Sequence, residues 1–393
     1  MDPHYIEWMN LVVRWVHMIV GIAWIGASFY FVWLENNLNR VNPKTGLSGD
    51  LWAIHGGGIY HLEKYKLAPP QMPEHLHWFK WEAYATFLSG IVLLTVVYYL
   101  NAELYLLAPD SNLTPLQGIA ISVAALLAGW FIYDFLCESA LGKNPALLGL
   151  VLLLLLVATA YALNMVFSGR AAYIHIGAIT GTMMAGNVFR VIMPGQRDLV
   201  SAIKEGREPD PTQPARALLR SRHNNYLTLP VLFIMISNHF PSTYGSEWNW
   251  VILFAIAILS VLVRHYFNTR HNSQNFAWAI PVAALGMVAL AFVTHPNRGD
   301  IPVSQNTVKV SIEEVTAIVN ERCSSCHAAN PTSEMFVTAP AGVILESAQD
   351  ILLNAARIHA QSVATQAMPL GNMTGMLPEE RRLIGAWYAN LSK

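Results

Sequence analysis

The chain has 393 residues, 54% of them hydrophobic and only 12% charged, with a formal net charge of −1. A soluble protein of this size carries about a quarter of its residues as charged side chains, so an ordinary water-soluble globular protein is excluded and an integral membrane protein is expected. No basic stripe interleaved with aromatic residues is present, which removes nucleic acid as a partner.

A hydrocarbon core about 30 Å thick needs about 20 consecutive apolar residues in a helix. Windows of that length predict eight spans, at residues 11–34, 83–105, 117–140, 146–167, 172–193, 225–240, 249–268 and 276–294, the sixth being the shortest. An even number puts both termini on one side of the membrane. Arg40, Lys44, Lys64, Lys66 and Lys80 follow span one and Lys143 follows span three. Arg197, Lys204, Arg207, Arg216, Arg220 and Arg222 follow span five and Arg270 follows span seven, whereas the opposite loops hold Arg170 alone. Basic loops stay in the cytoplasm, so both termini are expected outside it. Met1 to Asn10 has neither a basic start nor a small-residue cleavage site, so the first span is expected to act as its own insertion signal.

Two of the cytoplasmic loops are long. Residues 35–81 are rich in Trp, Tyr and His and include His55-Gly56-Gly57-Gly58-Ile59-Tyr60-His61, a composition that predicts a segment folded against the bundle. Residues 194–222, with Pro209, Pro211 and Pro214 among basic side chains, read as a solvated surface loop. After the last span, the Pro- and Gly-interrupted stretch around Arg298, Gly299 and Pro302 reads as a tether. The expected organisation is therefore a membrane domain over 1–297, a linker over 298–310 and a small domain over 311–393.

In that last domain Cys323-Ser324-Ser325-Cys326-His327 spells C-x-x-C-H, the attachment motif of a c-type haem. Two thiols add across the haem vinyl groups and the next histidine binds the iron, so residue types and spacing are both dictated by the chemistry. A zinc site would need a second Cys or His pair, and the remaining cysteine, Cys137, lies far upstream in an apolar run. Met368, in Ala367-Met368-Pro369-Leu370-Gly371, is the expected second axial ligand, with Met373 and Met376 as nearby competitors. Ser311-Ile312-Glu313-Glu314 opens an expected helix to Arg322, and Pro378 opens another over Glu379 to Leu391. The fold class is thus all-α: a polytopic membrane bundle of about eight helices followed by a small monohaem cytochrome c domain.

Ionisable groups inside spans are costly and mark function by default. His17, His175 and His239 fall at the level of the outer leaflet; His17 and His175, each followed by glycines, are expected to face one another and hold a haem b. A plainer reading makes each a buried histidine hydrogen-bonded to a neighbour. At the cytoplasmic edge Glu82, Arg190, His223 and Asn224 are the candidate catalytic group, offering proton transfer and donors to a planar anion. Interfacial anchoring is the plainer account of such residues.

His77-Trp78-Phe79-Lys80-Trp81-Glu82-Ala83-Tyr84, His175-Ile176-Gly177-Ala178, Gly186-Asn187-Val188-Phe189, Ser221-Arg222-His223-Asn224-Asn225-Tyr226 and Ile236-Ser237-Asn238-His239 together resemble the bacterial membrane-bound urate hydroxylases, an eight-span domain fused to a cytochrome c. The resemblance covers the whole chain. It implies oxidation of urate to 5-hydroxyisourate in purine breakdown, with water as oxygen source and with electrons passed to the haem and a respiratory acceptor, such as a cytochrome c or terminal oxidase, instead of to oxygen to make peroxide. It also implies residence in the lipid bilayer of the bacterial cytoplasmic membrane. The residue roles given above are read from this chain alone. A membrane quinol-to-cytochrome carrier that never touches urate is the competing expectation, and a polar pocket lined by the Glu82 group separates the two.

Overall fold

The structure is a computed structural model describing residues 2–109, 111–210, 212–271, 275–295 and 310–391. Helix α1 (Pro3–Asn37) starts where the Asp2 side chain accepts a hydrogen bond from the His4 amide and Pro3 takes the first turn. Its far end meets a hairpin of β1 (Leu47–His55) and β2 (Gly58–Tyr65), antiparallel in the register Trp52 to His61 and His55 to Gly58. Gly56 and Gly57 turn it with φ of 58° and 80°, the left-handed pair a two-residue hairpin turn requires. The aromatic loop is thus a β-ribbon, which amends the all-α expectation. Glu35 at the end of α1 pairs with Arg40 (2.7 Å) and with Lys64 (2.5 Å) of the ribbon.

Next come α2 (Trp81–Leu94), a π-helical segment over Thr95–Tyr99, and α3 (Ala102–Tyr105). Helix α4 (Pro115–Glu138) is opened by a capping box of Thr114 and Gln117, α5 (Pro145–Asn164) by Asn144, and α6 (Gly169–Gly186) by Ser168. A second π-helical segment, Asn187–Ile192, carries α6 into α7 (Met193–Lys204) without a break. Helices α8 (Thr212–Ser237), α9 (Pro241–Tyr244), α10 (Asn249–Thr269) and α11 (Ala279–Val293) complete the bundle.

Six of these segments are long and apolar enough to cross a membrane: His4–Asn37, Trp81–Tyr99, Pro115–Glu138, Pro145–Asn164, Gly169–Lys204 and Asn249–Thr269. The two expected spans outside this set have physical reasons. Helix α8 takes in Arg216, Arg220 and Arg222, because Arg220 is buried against Asp134 (2.7 Å) and Glu138 (2.9 Å) of α4. Residues 194–222 are accordingly largely helical and not a solvated loop. Helix α11 has 15 residues, about 22 Å of rise against a core of about 30 Å.

Helix α6 forms the middle of the bundle, packed on α4, α5 and α8. Small residues permit this: a β-carbon on Gly177 would stand 2.5 Å from Ile234, and one on Gly129 2.6 Å from Ile179. Where lipid is as apolar as leucine, such close packing, and not exclusion from water, holds helices together. The outer faces carry Phe135, Leu154 and Leu285, all exposed, which is compatible with a lipid surround.

The tether expected over 298–310 lies outside the described residues, apart from Val310. Beyond it, α12 (Ile312–Arg322, opened by a capping box of Ser311 and Glu314), α13 (Ala348–Leu353), α14 (Ala355–Ile358) and α15 (Pro378–Leu391) surround a separate core of Val315, Val319, Ile351, Ile384 and Trp387. This unit rests on one end of the bundle. A β-carbon on Gly371 would lie 3.3 Å from the Leu104 carbonyl oxygen of α3, and one on Gly245, just past α9, 2.5 Å from that of Thr365.

Candidate functional site

A cavity of about 310 Å³ runs between α1, α2, α6 and α8. Arg14, His17, Tyr98, Asn238 and His239 ring the end nearer the C-terminal unit; Trp24, Ile25 and Met184 close the other, and most of the wall between is carbon. From Arg14 to Ile25 along α1 is about 16 Å at helical rise.

His17 lies with Nδ1 3.1 Å from the Thr86 carbonyl oxygen and 3.0 Å from Ser89 Oγ. A carbonyl can only accept, so Nδ1 carries the proton and Nε2 keeps its lone pair. His239, past the end of α8, also lines the cavity and is exposed at its mouth. His175 is elsewhere: fully buried on α6, it donates from Nδ1 to the Ala171 carbonyl oxygen (2.7 Å) and bonds through Nε2 to Ser122 Oγ of α4 (2.6 Å). Both of its nitrogens are used, so the expected pairing of His17 with His175 is not what the fold builds. Tyr98 has a buried hydroxyl without a hydrogen-bond partner.

The expected catalytic residues divide. Tyr133 Oη shares a hydrogen bond with His223 Nδ1 (2.8 Å) and accepts from Asn187 Nδ2 (2.8 Å), which also donates to Asn224 Oδ1 (2.8 Å). Asn224 in turn donates to the Met184 carbonyl oxygen (3.0 Å), and Arg220, 1% exposed, lies 5.0 Å from the Tyr133 ring centroid. This network is satisfied throughout, the mark of a structural element. A small void lined by Trp24, Ile25, Met184, Asn224 and Thr228 continues the cavity toward it. Arg190 is exposed on the π-helical segment and is not drawn into the network.

Glu82 differs, because its Oε2 is buried with no hydrogen-bond partner. Three more side-chain atoms toward that end of the bundle share this state: Asn225 Nδ2, Arg264 Nη2 and Asn268 Oδ1. Arg264 is 6% exposed, lies 4.0 Å over the Phe29 ring and donates from Nε to Asn225 Oδ1 (3.0 Å). It has no carboxylate partner among the described residues. A buried cation without a carboxylate beside unmet donors and acceptors has the chemistry that an anion bearing both carbonyl and N–H groups would complement. Asn225 and Arg264 have ordinary sequence surroundings, and only their tertiary isolation singles them out.

In the C-terminal unit Cys323 and Cys326 are unpaired thiols on one turn, closed by the His327 amide donating to the Cys323 carbonyl oxygen (2.9 Å). Burial pushes the Cys323 thiol up to about 11, with Cys326 adding to the shift and Arg381 opposing it. His327 Nδ1 is 2.9 Å from the Val343 carbonyl oxygen, which again leaves Nε2 as the open nitrogen. Met368 is half-buried; Arg381 donates to its carbonyl oxygen (2.7 Å) and its amide bonds to Gln361 (2.9 Å). Met376 is packed in the core and Met373 is 49% exposed. No group of three or more His, Cys, Asp and Glu poised for a metal ion occurs among the described residues, whereas two free thiols beside an oriented imidazole fit a covalently attached haem.

The described residues thus form a helical bundle compatible with a membrane, enclosing a cavity and joined to this Cys-x-x-Cys-His unit. The chain belongs to the urate oxidase N-terminal family, which matches residues 3–295. Membership supports an oxidoreductase that acts on urate. No curated protein and no solved structure matches the chain.

Proposed function

We propose that this chain oxidises urate to 5-hydroxyisourate in the bacterial cytoplasmic membrane. Cys323 and Cys326 would hold a covalent haem c with His327 and Met368 as its iron ligands, and that group would carry electrons toward a respiratory acceptor such as a cytochrome c or a terminal oxidase. In this reading α8 and α11 complete eight crossings, and both termini and the cytochrome c domain are periplasmic. The observation that carries it is the family match over residues 3–295, joined in one chain to the C-x-x-C-H motif.

The urate monoanion plus one water gives 5-hydroxyisourate, one proton and two electrons. Substrate is met at the end of the bundle that holds Glu82, Asn225, Arg264 and Asn268. The Arg264 guanidinium offsets the urate charge, Asn225 Nδ2 donates to a ring carbonyl and Asn268 Oδ1 accepts from a ring N–H. Glu82, whose free Oε2 faces no competing donor, takes the proton, and the satisfied Tyr133–His223–Asn224 network fixes the wall behind them. Arg190 guides the anion in from solvent. The haem would supply a one-electron acceptor, and the burial of Glu82 Oε2, Asn225 Nδ2, Arg264 Nη2 and Asn268 Oδ1 would keep half-oxidised urate from water.

Mixing the oxidised full-length protein anaerobically with urate tests this. Bleaching of urate with growth of the reduced c-haem band, and no response to xanthine, is expected. A quinol that reduces the haem while urate does not would overturn the reading in favour of a quinol carrier.

A further inference from the structure

We propose that the cavity between α1, α2, α6 and α8 holds a second, noncovalently bound haem, with His17 and His239 as iron ligands and Arg14 facing its propionates, backed by Arg170 through Asn238. His17 lines the cavity with Nδ1 tied to Thr86 and Ser89 and Nε2 open, the same arrangement His327 makes with Val343. A carbonyl that accepts from the far nitrogen is how proteins orient a ligating imidazole.

Shape and polarity agree with a tetrapyrrole and not with the substrate. The cavity is about 16 Å long at helical rise, far more than one purine needs, and its carbon walls would leave urate's carbonyl and N–H groups unpaired. Gly181 and Gly21 keep the walls flat: a β-carbon on Gly181 would meet nothing within 4 Å, and one on Gly21 nothing nearer than 3.9 Å.

One end of the cavity asks for negative charge. Among the described residues Arg14 of the cavity wall bonds only to Asn10 Oδ1 (2.9 and 3.2 Å), and Arg170, which stands behind the wall residue Asn238, donates to its Oδ1 (3.2 Å). The two guanidinium groups act on each other, and neither has a carboxylate partner among the described residues. The buried hydroxyl of Tyr98, beside Asn238 and Arg170, lies at the same end. Carboxylates on an apolar plate offset the positive charge there.

The location is that of a relay, a role that rests on the proposed urate reading although the binding site itself does not. Arg170 lies over the rings of Tyr98 (6.0 Å) and Tyr105 (5.3 Å), and Tyr105 is within electrostatic reach of Cys326. With two ferric haems in one chain, each takes one of the two electrons that leave urate, and both become ferrous.

Haem is counted in the purified full-length protein by the pyridine haemochrome spectrum before and after acidified-acetone extraction. One covalent c-type and one extractable b-type haem per chain are expected. His17→Ala is expected to lose the extractable haem and keep the covalent one. Arg14→Gln is expected to keep both and lower the potential of the extractable haem alone. A wild-type protein that holds covalent haem only, even after incubation with hemin, overturns the proposal whatever the variants do. The counts are made without urate, so an inactive protein with two haems would sink the urate reading and leave this one standing, whereas urate reduction of a single-haem chain would do the reverse.

Discussion

Gly90 of α2 stands directly against the ring of His17: a β-carbon there would lie 3.1 Å from Cε1 and 3.6 Å from Nδ1. The imidazole reaches Thr86 and Ser89 only because residue 90 has no side chain. Gly90→Val should therefore push His17 off both bonds, cost about 1–3 kcal/mol through overpacking, and release the extractable haem while the covalent haem stays. Extraction followed by absorbance checks it, with Gly90→Ala expected to be the milder change.

Glu82→Gln keeps the shape and removes the proton acceptor. Turnover with urate should fall by about 10²–10⁴, the usual worth of a positioned base, while KM changes little. A steady-state comparison decides this, and an unchanged kcat would move the base elsewhere.

Replacing Met368 with Ala should lower the c-haem potential by on the order of 0.1 V, out of the roughly 0.8 V that axial ligation commands. The same change at the exposed Met373 should leave the potential alone. Redox titration of the two variants side by side gives the answer, and urate binding should be intact in both.

Glu380 is bonded by Arg322 (3.0 Å) and by the Leu377 amide (2.7 Å). Partial burial alone would raise its pKa, but these bonds outweigh burial and hold the carboxyl below the usual carboxylate range. A group whose folded pKa is depressed adds stability above its unfolded value, about 4.3, and that stability is lost as pH falls through the folded one. Acid should thus loosen the C-terminal unit below about pH 4. In Glu380→Gln this step should be absent and stability at neutral pH lower, as followed by the Soret band of the full chain against pH.

Arg220 reaches Asp134 and Glu138 from a site with 1% exposure, although the two acids are 34% and 42% exposed. Arg220→Ala leaves both acids and Asn187 without it. A loss of about 3 kcal/mol is expected, near the low end for a broken buried pair because the acids keep some water. Thermal unfolding in detergent measures it.

The parts of this protein that the sequence made legible are those fixed by covalent or local rules. Cys323, Cys326 and His327 stand at a spacing that covalent attachment of a macrocycle would dictate, and Ser311 with Glu314 are set by four residues of helix start. The long apolar helices show in a window because hydropathy averages over it. What escaped depends on partners distant in the chain. Arg220 carries a basic segment into α8 because α4 supplies its acids, and no window over 212–237 contains Asp134. His175 reads like His17 in isolation, and only Ser122, on another helix, separates their roles. The ribbon over 47–65 hid behind its aromatic content, although Gly56 and Gly57 between alternating residues were the clue. The isolation of Arg264 has no local signature at all.

The contacts of Gly371 with Leu104 and of Gly245 with Thr365 bring main chain against main chain, leaving no slack for the C-terminal unit to swing between stations. A fixed domain cannot act as a shuttle. On the reading proposed above, its electrons would be handed to a visitor that collides with the face turned away from the bundle, so the delivery rate should scale with the concentration of that carrier and not with the length of the tether.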